Sequence, residues 1–437
     1  MEAETQTIET LGAGNTPLET LGAGNTPLET LGAGNTPLEA LGLIQNKNGG
    51  TPKCAENLNR LLQRHPKFKE RFRFDEFAQE NQIQTESGRW RRVNDDDILQ
   101  IQSEVQSLYM EFSSYGRDMV TDAINFACSR NPIDSAKEWI KGLEWDGNLR
   151  LEQFLQNAYG VEDTLYHQLV GKNFLLGIAA RILKPGCDHR SVLVVEGEQN
   201  TKKSKAFRAL VGADWFNENT PLPSESLSFY MTMWGKLLIE FTEGVVFSKV
   251  DMGKLKGIVS TPIDTIVKKW GRNPLDIPRR CVFVISTNET EYFTDRTGNT
   301  RFFPVRAQKI SVEWIEEYRN QLFAEARTRI EQGEKWWDEE ISANEEFQKE
   351  QDRRMTTSLI EEKIDSWFEN PYNAKGQTIN PFETPFLTID IFGSNRPTRG
   401  EMMEAVAILK KRNFVKNDGD TMFGGRRGRF WHFSERK

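Results

Sequence analysis

The chain has 437 residues, of which 37% are hydrophobic and 28% are charged, and its formal net charge is −7. This length is enough for two or three domains, and the acidic balance excludes a protein that binds nucleic acid over its whole surface. No run approaches the roughly 18 consecutive apolar residues of a membrane-spanning helix, and the first residues lack a signal-peptide apolar segment. The four cysteines are scattered, which disfavours disulfides and zinc. We therefore expect a multidomain cytoplasmic protein without membrane contact.

The chain begins with decapeptide repeats. Three copies of ETLGAGNTPL start at Glu9, Glu19 and Glu29, and a fourth decays into EALGLIQNKNGG. Each copy contains only two leucines, too little apolar surface to offset the conformational entropy lost on ordering. We predict that residues 1–52 form a disordered tail, with a short β-solenoid as the alternative.

Residues 53–164 are predicted to form a mainly helical domain. AENLNRLLQRHPKF places Leu58 and Leu61 at helical spacing, and DDDILQIQSEVQSLYMEF opens with acidic residues that suit a helix N-terminus. Phe72 and Phe74 alternate in RFRFDEFAQENQIQ, so that segment and RWRRV indicate a short pair of strands.

Residues 165–330 alternate apolar strands with helices, which is typical of an α/β sheet. An apolar helix over 165–183 precedes three apolar runs, SVLVVEG (191–197), KLLIEFTE (236–243) and RRCVFVISTNE (279–289). Each run ends in polar residues, and ligands of such sheets bind at the carboxyl ends of the strands. The core is therefore predicted to hold its functional site at that edge.

A candidate phosphate-binding loop follows the first run. Gly197 is followed by four residues and then by Lys202, Lys203 and Ser204, where the P-loop pattern has G-x-x-x-x-G-K-[ST]. Lys203 would reach the β- and γ-phosphates of ATP, Ser204 would hold Mg²⁺, and loop amides, including that of Thr201, would surround the phosphates. Lys202 replaces a glycine that such a loop needs for a positive φ or a close backbone approach. The loop alone leaves open whether it binds phosphate.

The next two strands end in candidate catalytic residues. Glu240 and Glu243 close the second run, where one acid would hold Mg²⁺ and the other would orient the attacking water. Asn288 follows the third run and would sense the γ-phosphate. Arg301, in DRTGNTRFFPV, would act as an arginine finger in a neighbouring subunit, which requires a ring of subunits.

The last third of the chain is predicted to contain a helical connector over 331–370 and a separate module over 371–437. A helix starts near Thr398 and is followed by a strand–Gly-Gly–strand pattern, which suggests a winged helix that contacts DNA or packs on protein. Residues 405–437 hold nine Lys or Arg against three acidic residues, a local footprint for phosphate contacts. The candidate DNA contacts in this module are Arg426, Arg427 and Arg429.

Five stretches carry a family resemblance, namely EWIKGLEWDGNLRLEQFL, ARILKPGCDHRSVLVVEGEQNTKKS, WGKLLIEFTE, PRRCVFVISTNETEYFTDRTGNTRFFPV and RRGRFWHF. Together they resemble the virulence-associated E family, which is linked to phage and plasmid primase–helicase proteins and to superfamily 3 helicases of the AAA+ group. The resemblance spans roughly residues 70–437 and leaves only the repeats outside.

The resemblance implies a P-loop NTPase core that uses ATP and Mg²⁺, acts on single-stranded DNA and assembles as a homo-hexamer in mobile-element replication. It matches Lys203 and Ser204 to the Walker A pair, and the strand-end residues above to the acidic motif, sensor and arginine finger. It also implies a DNA-contacting hairpin before the third strand, in DTIVKKWGRN (264–273), with a solvated turn as the alternative. The candidate phosphate contacts of this hairpin are Lys268, Lys269 and Arg272.

The chain departs from the family pattern at Lys202, at Thr300, where an arginine is usual, and in the hairpin segment, which has fewer basic and aromatic residues. Two alternatives to a helicase therefore remain. One is a hydrolysis-impaired DNA-binding or regulatory scaffold that keeps the P-loop fold. The other is a regulatory or defence protein whose partner is another protein.

Overall fold

The architecture is taken from a computed structural model that describes residues 37–218, 220, 226–242, 249–267, 273–293, 299–337, 345–355, 359–373, 375–393 and 396–434. The predicted site residues that lie outside these ranges are Glu243, Lys268, Lys269 and Arg272. The chain divides into two compact units, residues 1–74 with 81–132, and residues 75–80 with 133–437. Residues 133–164 thus belong to the unit that holds the parallel sheet, whereas the sequence placed that boundary near 165. The finer five-segment division stays a prediction.

The first unit contains three helices and a small sheet. The helices are α1 (Ala55–Arg64), α2 (Asp95–Leu108) and α3 (Arg117–Ser129), and the strands are β1 (Phe72–Asp75), β2 (Glu80–Gln84), β3 (Trp90–Arg92) and β4 (Pro132–Ile133). The strand order is β3-β2-β1-β4, and β2 and β3 are antiparallel, which confirms the predicted pair of strands. Asn94 and Asp97 form a capping box that begins α2 where the acidic residues predicted a helix start.

The chain packs onto the first unit before residue 52, which corrects the predicted limit of the tail. A 3-10 helix spans Leu38–Leu41, and Leu41 is 1% exposed within the core of this unit. The side chain of Asn57 accepts a hydrogen bond from the backbone nitrogen of Ile44 and donates one to its carbonyl. Leu43 and Ile44 stand where earlier repeats have Ala-Gly, so the fourth copy gains the apolar surface that the others lack.

The second unit is built on a five-stranded parallel sheet. Its strands are β5 (Val192–Glu196), β6 (Phe216–Asn217), β7 (Leu238–Phe241), β8 (Ile263–Ile266), β9 (Leu275–Pro278), β10 (Val282–Thr287) and β11 (Phe302–Arg306). The parallel sheet has the order β11-β5-β10-β7-β6. The three predicted strands are β5, β7 and β10, and every residue of each is buried, as expected for strands covered on both faces. The prediction of an α/β sheet is confirmed.

Helices surround this sheet. They are α4 (Ser135–Lys141), α5 (Phe154–Tyr159), α6 (Leu165–Leu183), α7 (Lys203–Val211), α8 (Leu227–Met231), α9 (Lys249–Ser260) and α10 (Val312–Glu331). The apolar helix predicted over 165–183 is α6, whose buried residues join α7, α10 and the inner strands in one core cluster. Strands β8 and β9 form a separate antiparallel hairpin directly before β10. The implied hairpin is therefore present as a stem, while its basic tip lies outside the described residues.

The C-terminal part of the second unit has its own apolar cluster. Its elements are α11 (Glu345–Asp352), α12 (Leu359–Glu369), α13 (Arg399–Lys411), β12 (Phe414–Lys416), β13 (Thr421–Phe423), β14 (Arg426–Gly428) and β15 (Trp431–Phe433). Thr398 caps α13 through a capping box with Glu401, as the sequence predicted for this position. Strands β13 and β14 form an antiparallel pair across Gly424 and Gly425, and β12 pairs with β15. Across the described ranges, no helix is both long enough and apolar enough to span a bilayer.

Candidate nucleotide-binding site

The loop from residue 197 to 202 joins β5 to α7 at the carboxyl edge of the parallel sheet. The backbone nitrogen of Gly197 donates to the carbonyl of Thr287, the last residue of β10, at 3.1 Å. A Cβ added at Gly197 would lie 3.2 Å from the hydroxyl oxygen of Thr201, which itself donates to the carbonyl of Glu198 at 2.8 Å. The loop is thus a closed turn in which any side chain at position 197 would displace Thr201.

Lys202 adopts the backbone conformation expected of a glycine. Its φ of 68° and ψ of 22° lie in the left-handed region, which confirms the predicted need for a positive φ here. This conformation costs an L-residue about 1–2 kcal/mol relative to glycine. Its ammonium lies 3.8 Å from a carboxylate oxygen of Glu313, and both side chains are mostly exposed. The lysine therefore preserves the path of the loop at the expense of local strain.

Lys203 folds back over the loop. Its Nζ donates to the carbonyl of Gly197 at 2.7 Å and to that of Glu198 at 2.9 Å. Lys203 is also the first residue of α7, whose N-terminal amides point towards the loop. An ammonium and a helix N-terminus at one loop form an arrangement that favours an anion.

Ser204 and Glu240 meet at this edge of the sheet. The Ser204 hydroxyl donates to Oε1 of Glu240 at 2.9 Å, and Glu240 is fully buried near the end of β7. Burial raises the pKa of Glu240, against the opposing effect of the hydroxyls of Ser286 and Ser204. Oε2 of Glu240 is buried and has no hydrogen-bond partner in the described part of the chain. The carboxylate therefore retains an oxygen that can accept a further ligand.

A hydroxyl and a carboxylate with an open oxygen suit Mg²⁺, which prefers oxygen ligands and binds proteins through one or two carboxylates plus substrate phosphates. Within the described ranges, no group of three or more His, Cys, Asp or Glu residues is placed to hold a metal ion. A cation held by Ser204 and Glu240 would thus take its other ligands from phosphate oxygens and water. The donor set fits a nucleotide-bound Mg²⁺ ion.

A buried ion pair that the sequence analysis missed anchors the start of the loop. Glu196, the last residue of β5, accepts hydrogen bonds from Nε and Nη2 of Arg354, the latter at 2.9 Å, and from the Tyr292 hydroxyl at 2.6 Å. Burial lowers the pKa of Arg354, but the carboxylate of Glu196 outweighs it, so the pKa lies above its usual value. The partners are 158 residues apart along the chain. The one local signal was an acidic residue closing a buried apolar strand.

Asn288 and Arg301 lie at opposite edges of the parallel sheet. Asn288 is exposed and directly follows β10, at the edge that carries the loop. Arg301 precedes β11, where Phe302 is level with Val192 at the start of β5. At about 3.3 Å per residue, Arg301 is roughly 15–20 Å from the loop of its own chain. Its Nε instead donates to the Ser260 hydroxyl at 2.9 Å.

The three C-terminal arginines differ in their environments. Arg426 donates to Oδ1 of Asp390 at 2.5 Å, and the Asp390 side chain is 2% exposed. Since leaving that buried carboxylate unpaired would be costly, we assign Arg426 a structural role, which corrects its prediction as a DNA contact. Arg427 and Arg429 are 76% and 59% exposed and lie 4.0 and 3.7 Å from Asp420. Those two remain available to a ligand.

Fold and site define an α/β protein with an anion-binding loop beside a buried carboxylate. Residues 140–356 match the virulence-associated protein E-like domain family. The matched segment contains the loop, Glu240, Arg301 and Arg354. The chain therefore carries a virulence-associated protein E-like domain, and the family resemblance inferred from its sequence is confirmed.

Solved structures of the NrS-1 C-terminal region are similar to this chain. The A-form apo structure is 13% identical, covers 83% of this chain and 96% of its own, and has a TM-score of 0.47. A second apo structure of the same region is also 13% identical, covers 82% and 95% of the two chains, and has a TM-score of 0.48. Likeness at this level assigns no activity to the present chain. No curated protein matches it.

Proposed function

We propose that this protein is a Mg²⁺-dependent P-loop ATPase of the AAA+/superfamily 3 type that acts on DNA as a helicase, translocase or remodeller in phage or plasmid replication. The observation that carries the proposal is the hydrogen bond between Ser204 and Glu240 at the mouth of the loop. It joins the first turn of α7 to the end of a buried strand, which are the two places where a nucleotide-bound cation needs oxygen ligands.

Each residue of the site has a defined task in this proposal. Lys203 exchanges the carbonyls of Gly197 and Glu198 for the β- and γ-phosphates of ATP, while the amides at the start of α7 hold the same oxygens. Ser204 and Glu240 hold Mg²⁺, which when bound neutralises charge on the phosphate oxygens. Asn288 contacts the γ-phosphate from the end of β10, and Glu243, outside the described residues, orients the attacking water.

The proposal includes a ring of subunits, which we take to be a homo-hexamer. Arg301 lies at the edge of the sheet opposite its own loop, so it can reach a nucleotide only in another copy of the chain. An arginine supplied from a second subunit stabilises the charge of the transition state. The exposed Arg427 and Arg429, and the tip of the β8–β9 hairpin, are the proposed contacts with single-stranded DNA.

A second candidate function is a DNA-binding or regulatory scaffold that no longer hydrolyses ATP. The strained backbone of Lys202 favours it, because a lysine in the left-handed region adds a side chain where the loop must approach phosphate closely. Both candidates use the same fold and differ only in whether ATP is turned over.

The test measures ATP hydrolysis by the full chain with Mg²⁺ and with excess EDTA. We expect EDTA to abolish turnover, and Ser204→Ala and Glu240→Gln to raise the Mg²⁺ concentration for half-maximal rate by roughly tenfold or more. Ser107→Ala, which removes an exposed helix hydroxyl in the first unit, serves as the control. Absence of both ATP binding and turnover in the unaltered chain would refute the proposal. Binding without turnover would establish the scaffold instead.

A further inference from the structure

The sheet of the first unit has one face directed away from the core. In β2 and β3, Gln82 is paired with Arg92 and Gln84 with Trp90. Paired residues of antiparallel strands point to the same side, and so do residues two apart in one strand. These four side chains therefore share a face. Arg73 of β1 joins them, because its Nε donates to Oε1 of Gln82 at 2.8 Å.

The opposite face of the same strands is apolar. Phe72 and Ile83, which alternate with the polar set, are each 3% exposed and belong to the core formed with α1, α2 and α3. The sheet thus packs on helices with one face only. We call the other the polar sheet face, made of Arg73, Gln82, Gln84, Trp90 and Arg92.

The aromatic ring on this face is fixed in place. The guanidinium carbon of Arg73 lies 4.1 Å from the centroid of the Trp90 ring. A stack this close restricts the ring of Trp90 and adds a cation–π attraction. The result is a flat aromatic surface flanked by the amides of Gln82 and Gln84.

The positive charge of the polar sheet face is not neutralised locally. Arg92 and the neighbouring Arg89 are exposed and make no ion pair within the described part of the chain. By contrast, Arg91, on the other side of β3, donates to both carboxylate oxygens of Asp97 at 2.6 Å. Arg71, just before β1, pairs with Glu104 at 3.1 Å. Neighbouring arginines are therefore matched with acids, and those of the polar sheet face are not.

We propose that the polar sheet face binds single-stranded DNA. An indole in an open sheet face can stack on a base only where that base is unstacked from its neighbours, as in a single strand. Arg89 and Arg92 lie beside the ring, where they contact backbone phosphates, and the glutamine amides reach base edges. That the single strand is DNA rests on the proposed function, but the site itself needs neither ATP nor the parallel sheet.

The experiment measures fluorescence anisotropy of a labelled 20-nucleotide oligo-dT with the full chain, without nucleotide, across a salt series. We expect Trp90→Leu to weaken binding by about tenfold, since stacking of one base contributes on that scale. Arg92→Gln is expected to reduce the slope of log affinity against log salt by about 0.7. Arg117→Gln, which removes one exposed arginine from α3 of the same unit, is the control and is expected to leave both quantities unchanged.

Wild-type affinity and salt slope in both variants would overturn the proposal, and so would equal affinity for duplex and single strands. Thermal unfolding shows whether each variant is folded, and the exposed Arg92 decides the matter if Trp90→Leu does not fold. Lys203→Ala is expected to bind the oligonucleotide like the unaltered chain. Loss of ATP turnover and loss of this DNA site are therefore separate results.

Discussion

At the scale of single residues, Lys202 determines the conformational strain of the loop. Its left-handed backbone is the geometry that glycine adopts without cost, and its ammonium makes only a long, exposed contact with Glu313. The side chain thus contributes little that compensates for the strain. Glycine gains flexibility in the unfolded chain, which offsets part of the benefit of replacing the lysine.

We predict that Lys202→Gly raises the free energy of unfolding by up to about 1 kcal/mol and does not weaken ATP binding. Lys202→Ala is the matched control, because it removes the same charge but keeps a Cβ in the left-handed region. Thermal unfolding and ATP titration of the three proteins provide the measurement. If alanine and glycine are equally stabilising, the ammonium rather than the backbone is responsible, and this explanation of the loop is wrong.

His189 is a buried residue of the second unit whose ring nitrogens both lack hydrogen-bond partners in the described part of the chain. Burial, together with the nearby Arg181, lowers the pKa of His189 to about 3. The ring lies against Gly177 of α6, where an added Cβ would come within 2.2 Å of it. The folded protein therefore holds this histidine neutral.

Because the folded pKa of His189 is below the unfolded value of about 6.5, the unfolded chain takes up a proton in that window and the folded chain does not. The stabilising contribution is present above pH 6.5 and is lost as the pH falls towards 3. Between pH 7 and pH 5 we predict that the unaltered chain loses about 2 kcal/mol more than His189→Leu. Denaturant unfolding at the two pH values measures this difference, and parallel losses in the two proteins would rule it out.

At the scale of elements, the contact between Glu196 and Arg354 connects β5 to the segment that follows α11. The backbone nitrogens of Tyr292 and Phe293 donate to the Arg354 carbonyl at 3.0 and 2.9 Å, so the same residue also holds the chain after β10. Both charged side chains are at most 7% exposed. Removing one partner would leave the other charged in the protein interior.

We predict that Arg354→Met lowers the free energy of unfolding by about 3–5 kcal/mol, and that adding Glu196→Gln restores part of the loss. Glutamine keeps an oxygen that accepts the hydrogen bond of Tyr292 but carries no charge. Urea unfolding of both single variants and the double variant tests this. Strictly additive losses would mean that the two side chains do not depend on each other.

The sequence predicted those elements whose signals are local. Apolar runs identified β5, β7 and β10, and the common carboxyl edge of parallel strands brought Ser204 and Glu240 together in the prediction. Strand β11 was missed because Pro304 removes a backbone donor, which sheets tolerate at an edge, and β11 is an edge strand. The partnership of Glu196 with Arg354 arises only from folding, since no local pattern links residues so far apart.

At the scale of the whole molecule, the position of Arg301 is a statement about assembly. A residue at the amino edge of a parallel sheet cannot act on a nucleotide held at the carboxyl edge of the same sheet. In this protein Arg301 bonds to Ser260 at the end of α9. Its proposed catalytic role therefore requires a second copy of the chain.

We predict that Arg301→Ala and Lys203→Ala are each inactive in ATP hydrolysis and that an equal mixture recovers roughly a quarter of normal turnover, the share of interfaces that pair an intact loop with an intact arginine. Ser260→Ala is the control, because it breaks the same hydrogen bond but keeps the arginine. A mixture as inactive as its components, or an active Arg301→Ala protein, would argue against catalysis between subunits.

The central claim, that the loop supports ATP hydrolysis coupled to DNA, is tested most directly by Mg²⁺-dependent turnover with and without single-stranded DNA. The unaltered chain is compared with Lys203→Ala and with Lys205→Ala, which removes an exposed lysine from the same helix turn. We predict turnover that DNA stimulates in the unaltered chain and in Lys205→Ala, and a fall of about 100-fold or more in Lys203→Ala. Turnover that persists in Lys203→Ala, or an unaltered chain that neither binds nor hydrolyses ATP, would contradict the claim.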